Sequence, residues 1–150
     1  MSPRQTWKTT LAAAASRILP SEHGPGAAEA NVAQYFDNAL AQPYFQALLP
    51  WFEGHLDALD NRATERFGHG FAECGAKEQD DLLREIQEAP EPMTQQFFVT
   101  LVTLTLEGYL GDPVHGGNRD RLGWRSVGYQ PHALRSSSCT NEKGIEKDLS

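Results

Sequence analysis

Met93-Thr94-Gln95-Gln96-Phe97-Phe98-Val99-Thr100-Leu101-Val102-Thr103-Leu104-Thr105-Leu106-Glu107-Gly108-Tyr109-Leu110 is the stretch on which the fold turns. Wound as a helix, it spreads Met93, Phe97, Phe98, Leu101, Val102, Leu104, Leu106, Tyr109 and Leu110 around most of its circumference. Only Gln96, Thr100, Thr103 and Glu107 make a narrow polar stripe. A helix apolar on nearly every side belongs in the middle of a bundle, its stripe turned toward a polar partner or a crevice. A membrane span is the rival reading. It fails because the segment is barely long enough and carries Gln95, Gln96, several threonines and Glu107.

Upstream, the apolar spacing predicts helices to surround it. Leu11, Ala14, Ala15 and Ile18 recur at helical intervals until Pro20, giving a helix over about 6–19. Val32, Tyr35, Phe36, Ala39 and Leu40 trace a second over roughly 27–41. The longest regular pattern is Phe45, Leu48, Leu49, Phe52, Leu56, Leu59, Ala63 and Phe67, interrupted by Pro50, which predicts a kink or two abutting helices. Leu82, Leu83 and Ile86 mark an acidic helix over about 77–89, closed by Pro90 and Pro92.

Downstream of Gly111 no period of either kind persists, yet Trp124, Val127 and Tyr129 would be wasted in a floppy segment. The reading is an ordered, extended arm lying on a surface, followed by a disordered tail from about 132 that includes Ser136-Ser137-Ser138. The fold class is therefore all-α: a small bundle of about five helices with a long, Gly-rich C-terminal arm, in one domain over 1–131.

Composition bounds the function. The chain has 150 residues, 39% of them hydrophobic, and a net charge of -7. Its carboxylates crowd the middle, leaving -10 over 21–91 against +3 over 1–20 and +2 over 111–135. A nucleic-acid binder needs a continuous basic footprint, which this distribution lacks. Cys74 and Cys139 are too few for a disulfide framework or a four-cysteine metal site. One long-range bridge or two free thiols both fit. They would ligate an iron–sulfur cluster only if a partner supplied the other ligands. Residues 1–20 do not read as a secretory signal, because the apolar run ends at Ser16-Arg17, and no arginine pair marks twin-arginine export.

The most specific stretch runs from Leu106 through Gly111-Asp112-Pro113-Val114-His115-Gly116-Gly117-Asn118-Arg119-Asp120-Arg121-Leu122-Gly123-Trp124-Arg125-Ser126-Val127-Gly128 to Tyr129. Asp112-Pro113 ends the central helix, and Gly116-Gly117-Asn118 can hold positive φ at successive residues. Asp112, His115, Asn118 and Asp120 gather on one loop, and Arg119, Arg121 and Arg125 supply positive charge.

Gly108, Asp112, Pro113, Gly116, Gly117, Asn118, Asp120, Gly123, Trp124, Gly128 and Tyr129 together resemble the signature of the gluconate 2-dehydrogenase subunit 3 family. Ile18-Leu19-Pro20 followed by Pro25-Gly26-Ala27 is similar to that family's opening, so the resemblance covers roughly residues 8–131. It implies a non-catalytic small subunit of a membrane-associated or soluble dehydrogenase of sugars, sugar acids or glycosides. The large subunit, of the glucose-methanol-choline type, would hold FAD and perform the oxidation. An iron–sulfur cluster or a cytochrome c haem would also sit on partner chains, and this chain would carry no cofactor. The small subunit would support folding, stability or export of the large one. Members often carry a twin-arginine signal, so its absence here implies a cytoplasmic location if the N-terminus is native, with the periplasm as the family's alternative.

Each site residue has a plainer reading beside that one. The Gly-Gly-Asn loop lacks the strand–helix context of a phosphate cradle. An independent small metal protein or enzyme would use Asp112, His115 and Asp120, although no spacing there matches an established calcium or zinc loop. Trp124 and Tyr129 serve either as interface anchors or as packing on the chain's own bundle.

Overall fold

The computed structural model describes residues 3–130. Seven α-helices follow one another among them: α1 Pro3–Ile18, α2 Val32–Leu40, α3 Pro43–Gln46, α4 Leu49–Phe67, α5 Ala76–Glu88, α6 Pro92–Leu110 and α7 Leu122–Val127. Short 3-10 turns occupy Phe71–Glu73, Pro113–His115 and Arg119–Arg121. No strand occurs among the described residues, as the all-α reading requires. Among the described residues no helix is long and apolar enough to cross a membrane.

α6 is the hub: it packs against α1, α2, α4, α5 and α7. Phe97, Leu101, Leu104 and Tyr109 are buried on it, and Phe97 sits 5.6 Å from the ring of Phe52 on α4. Burying such a side chain contributes about 1.5–3 kcal/mol, so the aromatic seam between α4 and α6 is a principal source of stability. Thr105 is wholly buried and returns its hydroxyl to the Leu101 carbonyl at 2.8 Å, so it leaves no orphaned donor. α1 lays small residues, Ala14 and Ala15, into the core beside Leu11, which lets it approach closely. Arg17 at its end makes a two-pronged pair with Asp80 of α5, at 2.8 and 3.0 Å.

Prolines and glycines punctuate the chain where backbone chemistry demands. Pro43 and Pro50 each lie in the first turn of a helix, where the missing N–H has no intrahelical partner to lose. The interruption expected at Pro50 is thus two abutting helices, α3 and α4. The second helix begins at Val32 rather than near 27, because Asn31 takes a left-handed conformation, φ 54°, that no α-helix continues through. At Gly108 a Cβ would stand 2.8 Å from Val32 Cγ1, so glycine lets α2 cross α6 in close contact.

Two expectations change. Over its described part, the arm from 111 to 130 is not extended: it is a knot of 3-10 turns and one short helix folded onto the end of α6. Its glycines serve close backbone contacts rather than an open chain. The polar stripe of α6 is also wider than its polar residues. Val99, Leu106 and Leu110 are exposed alongside Gln96, Thr103 and Glu107, because none of the described helices covers that side. Residues 131–150, with the expected tail and Cys139, lie outside the described residues.

Candidate functional site

A helix ends with carbonyls that have no intrahelical partner. At the end of α6 the chain that follows bonds two of the last four and packs closely over the other two. Gly111 N–H donates to the Glu107 carbonyl at 2.8 Å, and the Trp124 indole N–H donates to that of Leu110 at 2.6 Å. Asn118 Nδ2 donates to the Gly111 carbonyl at 2.7 Å. The two remaining carbonyls, of Gly108 and Tyr109, face Gly117 and Gly123 so closely that a Cβ on either glycine would overlap the oxygen. Asp112 turns the chain out of the helix by accepting Val114 N–H at 3.0 Å.

Asn118 is the keystone. Its side chain is fully buried, and Oδ1 accepts from Gly123 N at 2.8 Å and Trp124 N at 3.4 Å. It sits at φ 44°, followed by Asp120 at 55° and Arg121 at 60°. Left-handed residues in such number cost about 1–2 kcal/mol each, so the surrounding bonds must over-determine them. They do: Arg119 N donates to the Ala30 carbonyl at 2.9 Å, and Arg121 N to that of Asn118 at 2.9 Å. Asn38 of α2 donates to the His115 carbonyl at 2.9 Å, beside Gly116, where a Cβ would meet Asn38 Nδ2 at 2.8 Å.

The two stretches that carry the family resemblance meet here. Tyr109 donates its hydroxyl to the Pro25 carbonyl at 2.6 Å and lies 2.9 Å from Ser126 Oγ. Gly26 is pressed against the Leu19 carbonyl, with which Ala27 N bonds at 2.9 Å. Residues 18–31 and 108–129 therefore form one interlocked structure at one end of the bundle.

What this structure turns outward is equally definite. Pro113 is half-buried, while Asp112, His115, Arg119, Asp120, Arg121, Arg125 and Tyr129 are exposed. Val114 and Val127 are 76% and 62% exposed, large values for valines. Trp124 is buried and packs on the chain's own bundle, with Tyr129 against it at 5.2 Å between ring centres. Among the described residues the three arginines make no ion pair with any carboxylate. An open groove beside the loop is walled by Tyr35, Asn38, Gln42, Tyr44, Val114 and His115. Tyr35 closes one side by donating to Glu107 at 2.6 Å, and burial together with that carboxylate raises its hydroxyl pKa far above the ordinary range.

Two of the loop's polar side chains are engaged in bracing it. Asp112 is engaged as a cap and Asn118 as an internal brace. Asp112, His115 and Asp120 do not bring three ligand atoms within reach of one ion; among the described residues only His69, Cys74 and Glu78 do so. The sequence hid that group and the apolar edge of α6. His69, Cys74 and Glu78 read as isolated until a 3-10 turn folds them together, and apolar residues on α6 read as core wherever they point.

The family model for gluconate 2-dehydrogenase subunit 3 matches residues 5–131. That span contains both the opening and the loop, the two parts that the structure interlocks. No curated protein and no solved structure matches the chain significantly.

Proposed function

The chain belongs to the gluconate 2-dehydrogenase subunit 3 family, and from that premise we propose that it is the non-catalytic small subunit of an FAD-dependent sugar, sugar-acid or glycoside dehydrogenase. It binds and stabilises a large flavoprotein of the glucose-methanol-choline type and assists its folding or maturation. FAD, and any iron–sulfur cluster or cytochrome haem, belong to partner chains in this reading.

One observation carries it. Seven of the eleven signature residues, Gly108, Asp112, Gly116, Gly117, Asn118, Gly123 and Trp124, are engaged in holding backbone. Such a signature is the mark of a surface held in one shape. Displayed on that surface are Val114, Val127 and Tyr129 between Arg119, Arg121 and Arg125. Apolar anchors ringed by arginines are the composition of a specific protein interface. The exposed, nearly uncharged edge of α6, with Val99, Thr103, Leu106 and Leu110, extends the surface available to a partner.

The test is to produce a large flavoprotein encoded beside this chain, with the chain and without it. The reading expects 1:1 co-elution and a loss of flavin content or soluble yield when the chain is omitted. A flavoprotein that folds, fills with FAD and elutes alone in either case would overturn it, and transient association without co-elution would point to a departing chaperone instead.

A further inference from the structure

Between α4 and α5 the chain makes a short, fully braced loop that the proposed function does not use. Gly68 ends α4 at φ 84°, and Asp60 of α4 reaches across to accept Phe71 N at 2.8 Å. Phe71 is completely buried, and its carbonyl is held by the side chain of Gln79 at 2.8 Å. The 3-10 turn Phe71–Glu73 then delivers Cys74 to the start of α5. A loop pinned from both helices holds its side chains in fixed relation.

That relation brings His69, Cys74 and Glu78 together: one nitrogen, one sulfur and one carboxylate oxygen, all within 4.8 Å of one another. His69 Nε2 lies 3.8 Å from Glu78 Oε1. Metal bonds of about 2.0–2.3 Å in a tetrahedron put neighbouring ligands roughly 3.3–3.7 Å apart, so a small rotation of the exposed imidazole closes the set. Glu78 Oε1, the oxygen that faces His69, also accepts Gly75 N at 3.0 Å, and a carboxylate oxygen has a second lone pair with which to ligate while it caps α5. The Cys74 sulfur is buried and bonds only backbone carbonyls, that of Gly70 at 3.4 Å.

The geometry points to a zinc site formed by His69, Cys74 and Glu78, with a fourth position open to water or to a partner's side chain. Thiolate, imidazole and carboxylate form a borderline-soft set that suits Zn2+ better than Mg2+ or Ca2+. The charges close as well, since one thiolate and one carboxylate neutralise the ion. Burial, and after it the carboxylates of Glu78, Asp60 and Glu73, push the pKa of the free Cys74 thiol up. Binding therefore replaces the Cys74 S–H proton by the metal and releases that proton to buffer. The site would clamp the loop between α4 and α5 to the first turn of α5, at a place remote in sequence from the signature loop.

The experiment uses the full chain carrying Cys139→Ser, so that Cys74 is its only thiol. After chelator treatment and dialysis, the protein is titrated with Zn2+ against a chromophoric competitor, and with Co2+ while absorption is recorded. We expect about one equivalent of metal, a near-ultraviolet thiolate-to-cobalt band and tetrahedral visible bands. Cys74→Ser should remove the thiolate band, and His69→Ala, at a half-exposed position, should weaken zinc at least about tenfold without unfolding the chain. Substoichiometric binding, a cobalt spectrum without the sulfur band, or zinc affinity unchanged in both variants would each overturn the assignment.

Discussion

Replacing Asn118 by alanine tests the claim that the signature loop is an internal brace. The substitution strips three hydrogen bonds, leaving the Gly123 and Trp124 amides and the Gly111 carbonyl without their partner in a buried place. Each orphaned group costs about 1–3 kcal/mol, less where water enters the space left behind. Alanine also tolerates φ 44° less well than asparagine, adding about 1 kcal/mol. With water holding each group to the low end of that range, the sum is about 4 kcal/mol, a large share of the roughly 5–15 kcal/mol that holds a domain together. Thermal and urea unfolding followed by circular dichroism should show a Tm lowered by about 10–20 °C. Asn118→Asp sharpens the test, because it keeps the acceptor oxygen but turns a second oxygen toward the Gly111 carbonyl. The repulsion raises the folded pKa of the new carboxyl, so its penalty is present above that pKa and fades as pH falls toward the unfolded value near about 3.9, where the protonated group donates instead. A loss under about 1 kcal/mol for Asn118→Ala, or rapid hydrogen exchange at Gly123 and Trp124 in the parent chain, would refute the reasoning.

Gly123→Ala should be as damaging, costing about 3 kcal/mol, because the added methyl overlaps the Tyr109 carbonyl and two backbones must part; a Tm within about 2 °C of the parent would contradict it. Asp80→Asn should cost about 1 kcal/mol at neutral pH, kept small by the solvent around Asp80. Arg17 holds the Asp80 carboxyl below its usual pKa, so the pair's contribution is full above about 3.9 and disappears as pH falls through the folded value; urea midpoints of parent and variant should converge in acid and differ at neutral pH. Arg119→Glu with Arg125→Glu should leave unfolding unchanged and slow association with the flavoprotein about tenfold at low salt, measured by stopped-flow or surface capture; an unaltered salt dependence would count against the interface.

The helices were readable because their packing repeats a period. Phe52, Leu56, Leu59 and Ala63 recur on one side of α4 and are buried there, and the all-round apolar pattern of α6 did mark the hub. Its exposed edge was not readable, because Val99, Leu106 and Leu110 are apolar whether or not another helix arrives to cover them. The loop was read for its residues and misread for its shape. Gly116, Gly117 and Asn118 announced positive φ, but Asp120 and Arg121 share it for reasons that lie in their surroundings. Gly123 carries no such φ: it is glycine because the Tyr109 carbonyl passes where a side chain would stand, a fact of tertiary contact with no local signal. The meeting of Pro25 with Tyr109 was invisible for the same reason.

The uneven charge acquires a direction from these contacts. An acidic middle and a basic loop on one chain would, in the simplest arrangement, attract each other, and Arg17 with Asp80 shows that this chain does make such pairs where they are wanted. Arg62 and Arg66 likewise turn to Glu85. Among the described residues, Arg119, Arg121 and Arg125 find no carboxylate, although Asp37, on the helix that carries Asn38, is paired with Lys8. The loop's backbone is fixed by neutral hydrogen bonds, so these arginines are not needed to hold it in place. Arginine kept in water on a rigid loop contributes little to a lone chain's stability and much to the speed and register of docking on an acidic surface. Of the two targets open to the loop's arginines, the chain's own acidic middle or another molecule's acidic face, the first makes no ion pair with them among the described residues.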